Sequence, residues 1–317
     1  MQITTLRTQL KKLLKINEYD PKKAYLLIPG MVSRSERKNL AKQAATLTGR
    51  GHALEFGAFF GASTGAILCG LKQNGLTKEF HVYDYFKTND QWFSDITRQL
   101  AKGHESLLST DGDWLDFSGV YEFFINDPVI HTHKILISDL EWKNENIEFI
   151  HLDLPKDWSQ AKKIVSETFP WIIKDAKLIF QDFVNQWSFE IGAMIGFLLK
   201  GKLIRIDGSF GSTLSTTSNK NFGKDDVQSL MSEMFDKKKV LSNFDYAFEH
   251  TKHFLSQEEQ TILRVGRAVL ISESDKILGL QELSRALYYM PSTTGRGSKA
   301  LRNALEFGLQ AKKSISE

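Results

Sequence analysis

From residue 52 to residue 216, short apolar runs of strand length alternate with stretches of helical period, and this alternation constrains the fold more than any other feature. The runs fall at 52–57, 79–84, 134–138, 147–152, 176–180, 202–206 and 213–216. Between them a helix is predicted over 63–72 and another over 158–169. In the second, Trp158, Ala161, Ile164, Val165, Thr168 and Phe169 share one stripe. A third carries Trp187, Ile191, Met194, Ile195 and Leu198 in line. Strands that alternate with helices pair in parallel through crossovers, so the predicted class is α/β, a Rossmann-like doubly wound, mostly parallel sheet. Three stretches are expected. Residues 1–50 form a helical lead-in, broken by Pro21 and by Pro29-Gly30, with a half-buried helix over 33–47. Residues 51–224 form the α/β domain. Strand signals stop after that, and 225–317 read as a helical C-terminal extension with a connector at 291–299.

Composition narrows the class of function. Lysine and arginine number 41 against 38 acidic residues, a net charge of +3, which gives no reason to expect nucleic acid or an anionic membrane as partner. Cys69 is the single cysteine, which excludes a disulfide framework and a cysteine-based zinc site. It sits among Ile67, Leu68 and Leu71 as a small apolar residue. The start of the chain lacks the apolar core of a secretory signal, and the most apolar stretch, 191–199, is too short to span a bilayer. The expectation is a cytoplasmic enzyme acting on a small molecule, with a homo-oligomer left open.

The sharpest motif is Leu54-Glu55-Phe56-Gly57-Ala58-Phe59-Phe60-Gly61-Ala62-Ser63-Thr64, placed where a strand ends and a helix begins. Gly57 permits a tight turn, and the missing Cβ at Gly57 and Gly61 would let a ligand approach the backbone. Ser63 or Thr64 can cap the helix, whose free N–H groups favour a polar or anionic group. A dinucleotide site calls for G-x-G-x-x-G against a pyrophosphate. Here a carboxylate, Glu55, precedes the turn; it suits a ligand with an ammonium group, and S-adenosylmethionine is such a ligand. Asp84 ends the second strand, where an acid accepts hydrogen bonds from ribose hydroxyls, and Tyr85 follows it. Asp153 and Asp182 follow the fourth and fifth strands. Two acids on adjacent strand ends can share a divalent cation; equally, Asp182 can cap the next helix and Asp153 order the loop before Pro155.

The run from Pro29-Gly30-Met31-Val32-Ser33 through the Glu55 motif, Val82-Tyr83-Asp84-Tyr85-Phe86, Phe149-Ile150-His151-Leu152-Asp153 and Phe180-Gln181-Asp182-Phe183 resembles the macrocin O-methyltransferase (TylF-like) family. The resemblance covers about residues 29–207 and implies a class I methyltransferase type of fold. It also implies transfer of a methyl group from S-adenosylmethionine to a hydroxyl of a small molecule or sugar. Members of the family include several that use Mg²⁺. By the same resemblance Asp153 and Asp182 would be the metal carboxylates, with Asp153 the first choice to take the acceptor's proton. The family's acidic pair is thinned here, since Gln181 stands where one aspartate is expected, and an amide holds a dication more weakly than a carboxylate. The segment 87–119 is longer than the family's and is expected to be a loop over the acceptor.

In the resulting picture Glu55 binds the ammonium of the methionine part, with the backbone of Phe56, Gly57 and Gly61 close by. Asp84 holds the ribose, and Ser138 and Asp139 lie near the adenine. His151 and His104 are further candidates for general base, although a core place for His151 and a solvated one for His104 are equally in keeping with their surroundings. His131 and His133 lead into the third predicted strand without a third ligand in sight. Two rival classes are a fold that binds the cofactor without turnover, as an interaction module, and a nicotinamide-dependent oxidoreductase, which the Glu55 pattern disfavours.

Overall fold

The structure, a computed structural model, describes residues 25–75, 79–154, 158–234, 236–272 and 275–288. Residues 1–24 of the lead-in, the connector at 291–299 and the end of the helical extension lie outside the described residues. In chain order the elements are α1 (Arg34–Ala44), β1 (His52–Phe56), α2 (Ala62–Gln73), β2 (Phe80–Asp84), β3 (Lys87–Thr88), α3 (Gln91–Leu100), β4 (Ser109–Asp111), β5 (Trp114–Asp116) and α4 (Ser118–Phe124). They continue with β6 (Ile130–Lys134), β7 (Ile147–Leu152), α5 (Trp158–Thr168), β8 (Ile172–Phe180), α6 (Phe189–Lys200), β9 (Ile204–Phe210) and β10 (Thr213–Ser218). Helices α7 (Lys224–Glu233), α8 (Lys237–Thr251), α9 (Gln257–Ser272) and α10 (Lys276–Tyr288) complete the described chain. The chain divides into two compact units: one of residues up to 46, 59–75 and 86–127, the other of 47–58, 76–85 and 128 onward.

The larger unit carries a seven-stranded sheet in the order β6-β2-β1-β7-β8-β10-β9. Pairings β6–β2, β2–β1, β1–β7 and β7–β8 are parallel, while β10 runs antiparallel to both β8 and β9. This is a Rossmann-like, doubly wound, mostly parallel sheet with a helical C-terminal region. Both faces of the central strands are covered: every residue of β1, β2 and β7 is buried, the polar Glu55, His81, Glu148 and His151 included.

The predicted stripe on 158–169 is found on α5, where Ala161, Ile164, Val165 and Thr168 are buried, and it runs on into Phe169 in the following turn. Trp187 departs from its predicted stripe, lying before the start of α6 and 37% exposed.

The third strand is displaced from its predicted place. It is Ile130–Lys134, whereas the apolar run 134–138 leaves the sheet and turns through a single 3₁₀ turn at Ile137–Asp139. As an edge strand, β6 pairs on one side only and tolerates the polar alternation His131, Thr132, His133, which hides it from a search for apolar runs.

The core of the larger unit runs without a break across residue 225. Leu54, Ile150 and Phe180 from the sheet share one cluster with Val227, Leu230, Phe244, Leu263 and Val265 from the helices after it. At the α6–α8 contact the backbones approach closely. A Cβ on Gly192 would stand 2.7 Å from the ring of Phe244, and one on Gly196 would overlap the carbonyl oxygen of Asn243. Lys200 Nζ donates to Asn243 Oδ1 at 2.7 Å and to Ser242 Oγ at 3.0 Å, tying the same helices at their polar margin.

The smaller unit begins with a capping box. Ser33 Oγ accepts from the Glu36 N–H while Glu36 Oε2 accepts from the Ser33 N–H, which starts α1. Buried Arg37 gathers the carbonyls of Val32, Tyr25 and Ile28 at 2.8, 3.1 and 2.6 Å, and so fixes the Pro29-Gly30 bend. Residues 87–119 are folded rather than a loop: β3, β5 and β4 form a three-stranded antiparallel sheet beside α3. Phe59, Phe60, Phe93 and Phe117 pack their rings within this unit. Among the described residues no helix is long and apolar enough to cross a membrane.

Substituting Gly196→Ala forces α6 away from α8, and overpacking of this kind costs about 1–3 kcal/mol. A fall in Tm of several degrees, read by calorimetry, is the expected outcome; an unchanged Tm would show that the contact does not hold the helices.

Candidate functional site

From β1 the chain builds the sheet in one direction through β2 to β6 and in the other through β7 to β8, so the strand order reverses between β1 and β7. Open α/β sheets bind ligands beyond the carboxyl ends of the strands at such a switch point. The segments leaving β1, β2 and β7 meet there. Gly57 stands at φ +91°, in the left-handed region that favours glycine, and its N–H donates to Tyr83 O at 2.9 Å. The next amide, Ala58 N–H, donates to Asp84 Oδ2 at 2.9 Å, so the buried carboxylate that ends β2 fixes the turn that ends β1. On the other side, Asp153 N–H donates to Phe56 O at 2.9 Å.

The absent Cβ of Gly57 makes room for protein rather than for a ligand: an added Cβ would meet Asp153 Cβ at 3.2 Å and Leu154 Cγ at 3.1 Å. Gly61, at φ +88°, is the same case within the smaller unit, where a Cβ would run into Ile125. It is Gly61 that occupies the N-cap of α2, with no side-chain cap. Ser63 and Thr64 therefore do not cap the helix; both are buried in its first turn, before the first intrahelical bond from Gly65 N–H to Gly61 O at 2.8 Å.

Glu55 and His151 are neighbours in register on β1 and β7 and are both fully buried. His151 Nδ1 lies 3.2 Å from Glu55 Oε1. Burial alone would lower the imidazole's pKa, but the hydrogen bond and charge of Glu55, the charge of Asp153 and a contribution from Gln181 outweigh it and raise the pKa above the ordinary histidine value. The sequence offers His151 as a base for the acceptor, and its place does not fit that role. A fully enclosed ring cannot reach an acceptor and is held toward its protonated form. Glu55 likewise faces a side-chain partner in the interior, so its influence on the turn is through the pair.

Asp153 and Asp182 follow adjacent strands and are half-buried. Asp182 takes φ +56°, a left-handed conformation that aspartate adopts more readily than most residues. It is no cap for α6, whose N-cap is Ser188. Gln181 is turned into the protein: its Oε1 accepts from Thr213 Oγ1 at 2.7 Å and its Nε2 donates to Ser212 Oγ at 3.2 Å, locking the end of β8 to the start of β10. Among the described residues no third histidine, cysteine or carboxylate joins Asp153 and Asp182 in a metal-ligand group. The residues present do not fit a resident Mg²⁺ ion, and no step is derived through one.

The remaining predicted residues fall in different places. Phe56 is fully buried and stacks on Tyr83 at 5.0 Å, so only its backbone faces the turn. Tyr85 is half-buried just beyond Asp84. Ser138 and Asp139 are exposed, in the 3₁₀ turn that the chain reaches after Ile135 N–H donates to Asp84 O at 3.2 Å. His104 belongs to the smaller unit, where its ring lies against Phe123 and Phe124 at 4.9 and 5.2 Å. Sequence reasoning missed the Gln181–Thr213 lock. Its signal is a polar residue at the last step of a buried strand.

No protein-family model matches the chain, and no curated protein matches it. Solved structures give distant likenesses. The TDP-rhamnose 3′-O-methyltransferase CalS11, an enzyme in calicheamicin biosynthesis, is 16% identical over 68% of this chain and 93% of its own, with a TM-score of 0.40. An O-methyltransferase from Bacillus cereus in complex with S-adenosylhomocysteine is 13% identical over 67% and 96%, at 0.38. The O-methyltransferase segment of StiE is 10% identical over 72% and 87%, at 0.31. Likenesses this remote assign neither a residue nor an activity to the chain.

A histidine whose pKa is higher in the folded chain than in the unfolded one stabilises the fold fully below its unfolded value, about 6.5. That contribution fades as the pH rises through the folded value. Glu55→Gln removes the charge that raises His151, so the fade should move to lower pH, read by NMR titration of the His151 ring and by Tm from about pH 6 to about pH 9. An identical His151 titration in the variant would contradict the pairing.

Proposed function

We propose that the switch point binds S-adenosylmethionine and that the protein transfers its methyl group to a hydroxyl of a small molecule or sugar. The observation that carries this reading is the Asp84 carboxylate holding the Ala58 amide of the Gly57 turn at 2.9 Å. It puts an acid for ribose hydroxyls and a glycine turn side by side, without the G-x-G-x-x-G of a dinucleotide site. A carboxylate offers about four lone-pair sites, so Asp84 has the capacity to hold both the turn and a ribose. Ser138 and Asp139, exposed beyond β6, are the residues we place nearest the adenine. The Glu55–His151 pair supports the turn from within, a change from direct contact between Glu55 and the ammonium group.

S-adenosylmethionine supplies a sulfonium methyl; as an acceptor oxygen takes it up, the C–S bond breaks, a C–O bond forms and the hydroxyl proton must leave. Half-buried Asp153, whose backbone is tied to β1, is the group we assign to receive that proton. Its side chain follows the strand next to the turn, on the strand-end side where a ligand is expected. Positioning accounts for much of the remaining rate.

S-adenosylhomocysteine should raise the Tm and NAD should not; equal shifts, or none, would count against this site. Asp84→Asn should weaken S-adenosylhomocysteine by about 10-fold or more, the scale of a lost charged hydrogen bond, by calorimetric titration. With an acceptor found by screening for S-adenosylhomocysteine release, Asp153→Asn should lower kcat by about 10²-fold. Full turnover in that variant would remove Asp153 from the chemistry. Tight cofactor binding with no acceptor consumed across a broad library would favour an interaction module over an enzyme.

A further inference from the structure

On β1, β2 and β6 the larger unit gathers four of the chain's eight histidines, with His52, His81 and His131 toward the amino ends of the strands. The parallel register sets Leu54 beside His81 and His81 beside His131, with Tyr83 beside His133 in the row two residues on. Side chains alternate along a strand, so His52, His81, His131 and His133 all project from one face of β1, β2 and β6. Glu79 lies just before β2, and Lys143, Glu145 and Trp142 come from the segment before β7.

We propose that His52, His81 and Glu79 form a binding site for a divalent transition metal of the zinc class, remote from the Gly57–Asp84 turn. Three observations support it. First, one donor atom from each of the three residues lies within 4.8 Å of the others. His81 Nε2 stands 3.2 Å and His52 Nδ1 3.7 Å from Glu79 Oε2. A tetrahedral zinc with bonds of about 2.1 Å has ligand-to-ligand edges of about 3.4 Å, so these separations need little adjustment.

Second, each imidazole has its far nitrogen held. His52 Nε2 lies 2.5 Å from Glu145 Oε2, and His81 Nδ1 lies 3.0 Å from His133 Nε2. Metal-binding histidines are oriented in this way by a partner on the second nitrogen, which also fixes the tautomer.

Third, a cation already stands at the carboxylate. Lys143 Nζ is 2.5 Å from Glu79 Oε2 and 3.2 Å from Glu145 Oε2. Lys143 is 41% exposed on a flexible stem and can withdraw when a metal takes its place. His131 Nε2 lies 3.7 Å from Glu79 Oε1 but outside this group of three, so water takes the further position. Two imidazoles and one carboxylate with a further position match the ligand count of zinc. The sequence hides the set because His52 stands 27 residues before Glu79, and His52, Glu79 and His81 meet only through the register of parallel β1 and β2.

The test uses the full chain freed of metal by chelation and then titrated with Zn²⁺ alone. One zinc per chain by elemental analysis and calorimetry, with a raised Tm, is expected. Glu79→Gln, on a carboxylate 41% exposed, and His81→Asn should each weaken zinc by about 10-fold or more, while Lys143→Ala, which removes the competing ammonium, should tighten it. The affinity for S-adenosylhomocysteine should stay unchanged in Glu79→Gln, so loss of zinc is read separately from loss of the cofactor. Substoichiometric zinc in the native chain would overturn the proposal. So would full affinity in Glu79→Gln, a variant whose fold can be checked by its Tm without metal, and so would no gain in Lys143→Ala.

Discussion

One buried hydrogen bond organises the carboxyl edge of the sheet: the Ala58 amide donating to Asp84 Oδ2. A charge-assisted bond of this kind is worth about 1.5–3 kcal/mol, and it fixes a turn that would otherwise be free to swing at its glycine. With that turn set, Phe56 O is presented to Asp153 and the Tyr83 carbonyl to Gly57. Segments from β1, β2 and β7 are thereby locked together at the point where the strand order reverses.

The interior supports the same edge electrostatically. Glu55 and His151 face one another across β1 and β7 with no exposed surface. A buried ion pair of this sort seldom adds much stability over an apolar pair, and its usual contribution is to specify one arrangement. Here it sits two residues before Gly57 and two before Asp153, so the two strands that flank the switch point are coupled in register. Gln181 does comparable work on the next strand by tying β8 to β10, which is why the position that resembles a metal ligand in sequence is structural in the fold.

The α/β class, the central strands and the turn at Gly57 were legible because each has a local signature: a largely apolar run, a 3.6-residue stripe, or a glycine where a strand ends. Strand β6 was not, since an edge strand needs no apolar alternation, and the apolar 134–138 drew the prediction away from His131 and His133. Residues 87–119 lacked a strand signal because β3, β4 and β5 are two or three residues long. At the site itself, residue types were legible but their directions were not. Glu55, Phe56 and His151 turn inward, and Gly57 and Gly61 are glycines because protein atoms crowd them. Both distinctions depend on contacts between residues that lie tens of positions apart.

The most direct measurement is a crystal structure of the chain grown with S-adenosylhomocysteine. Binding at the switch point requires the ribose hydroxyls to lie about 3 Å from the Asp84 carboxylate, with the homocysteine part against the Gly57–Ala58 turn and the adenine toward Ser138 and Asp139. Ligand density elsewhere on the protein, with no ligand atom at the Asp84 carboxylate, would contradict methyl-donor binding at this edge.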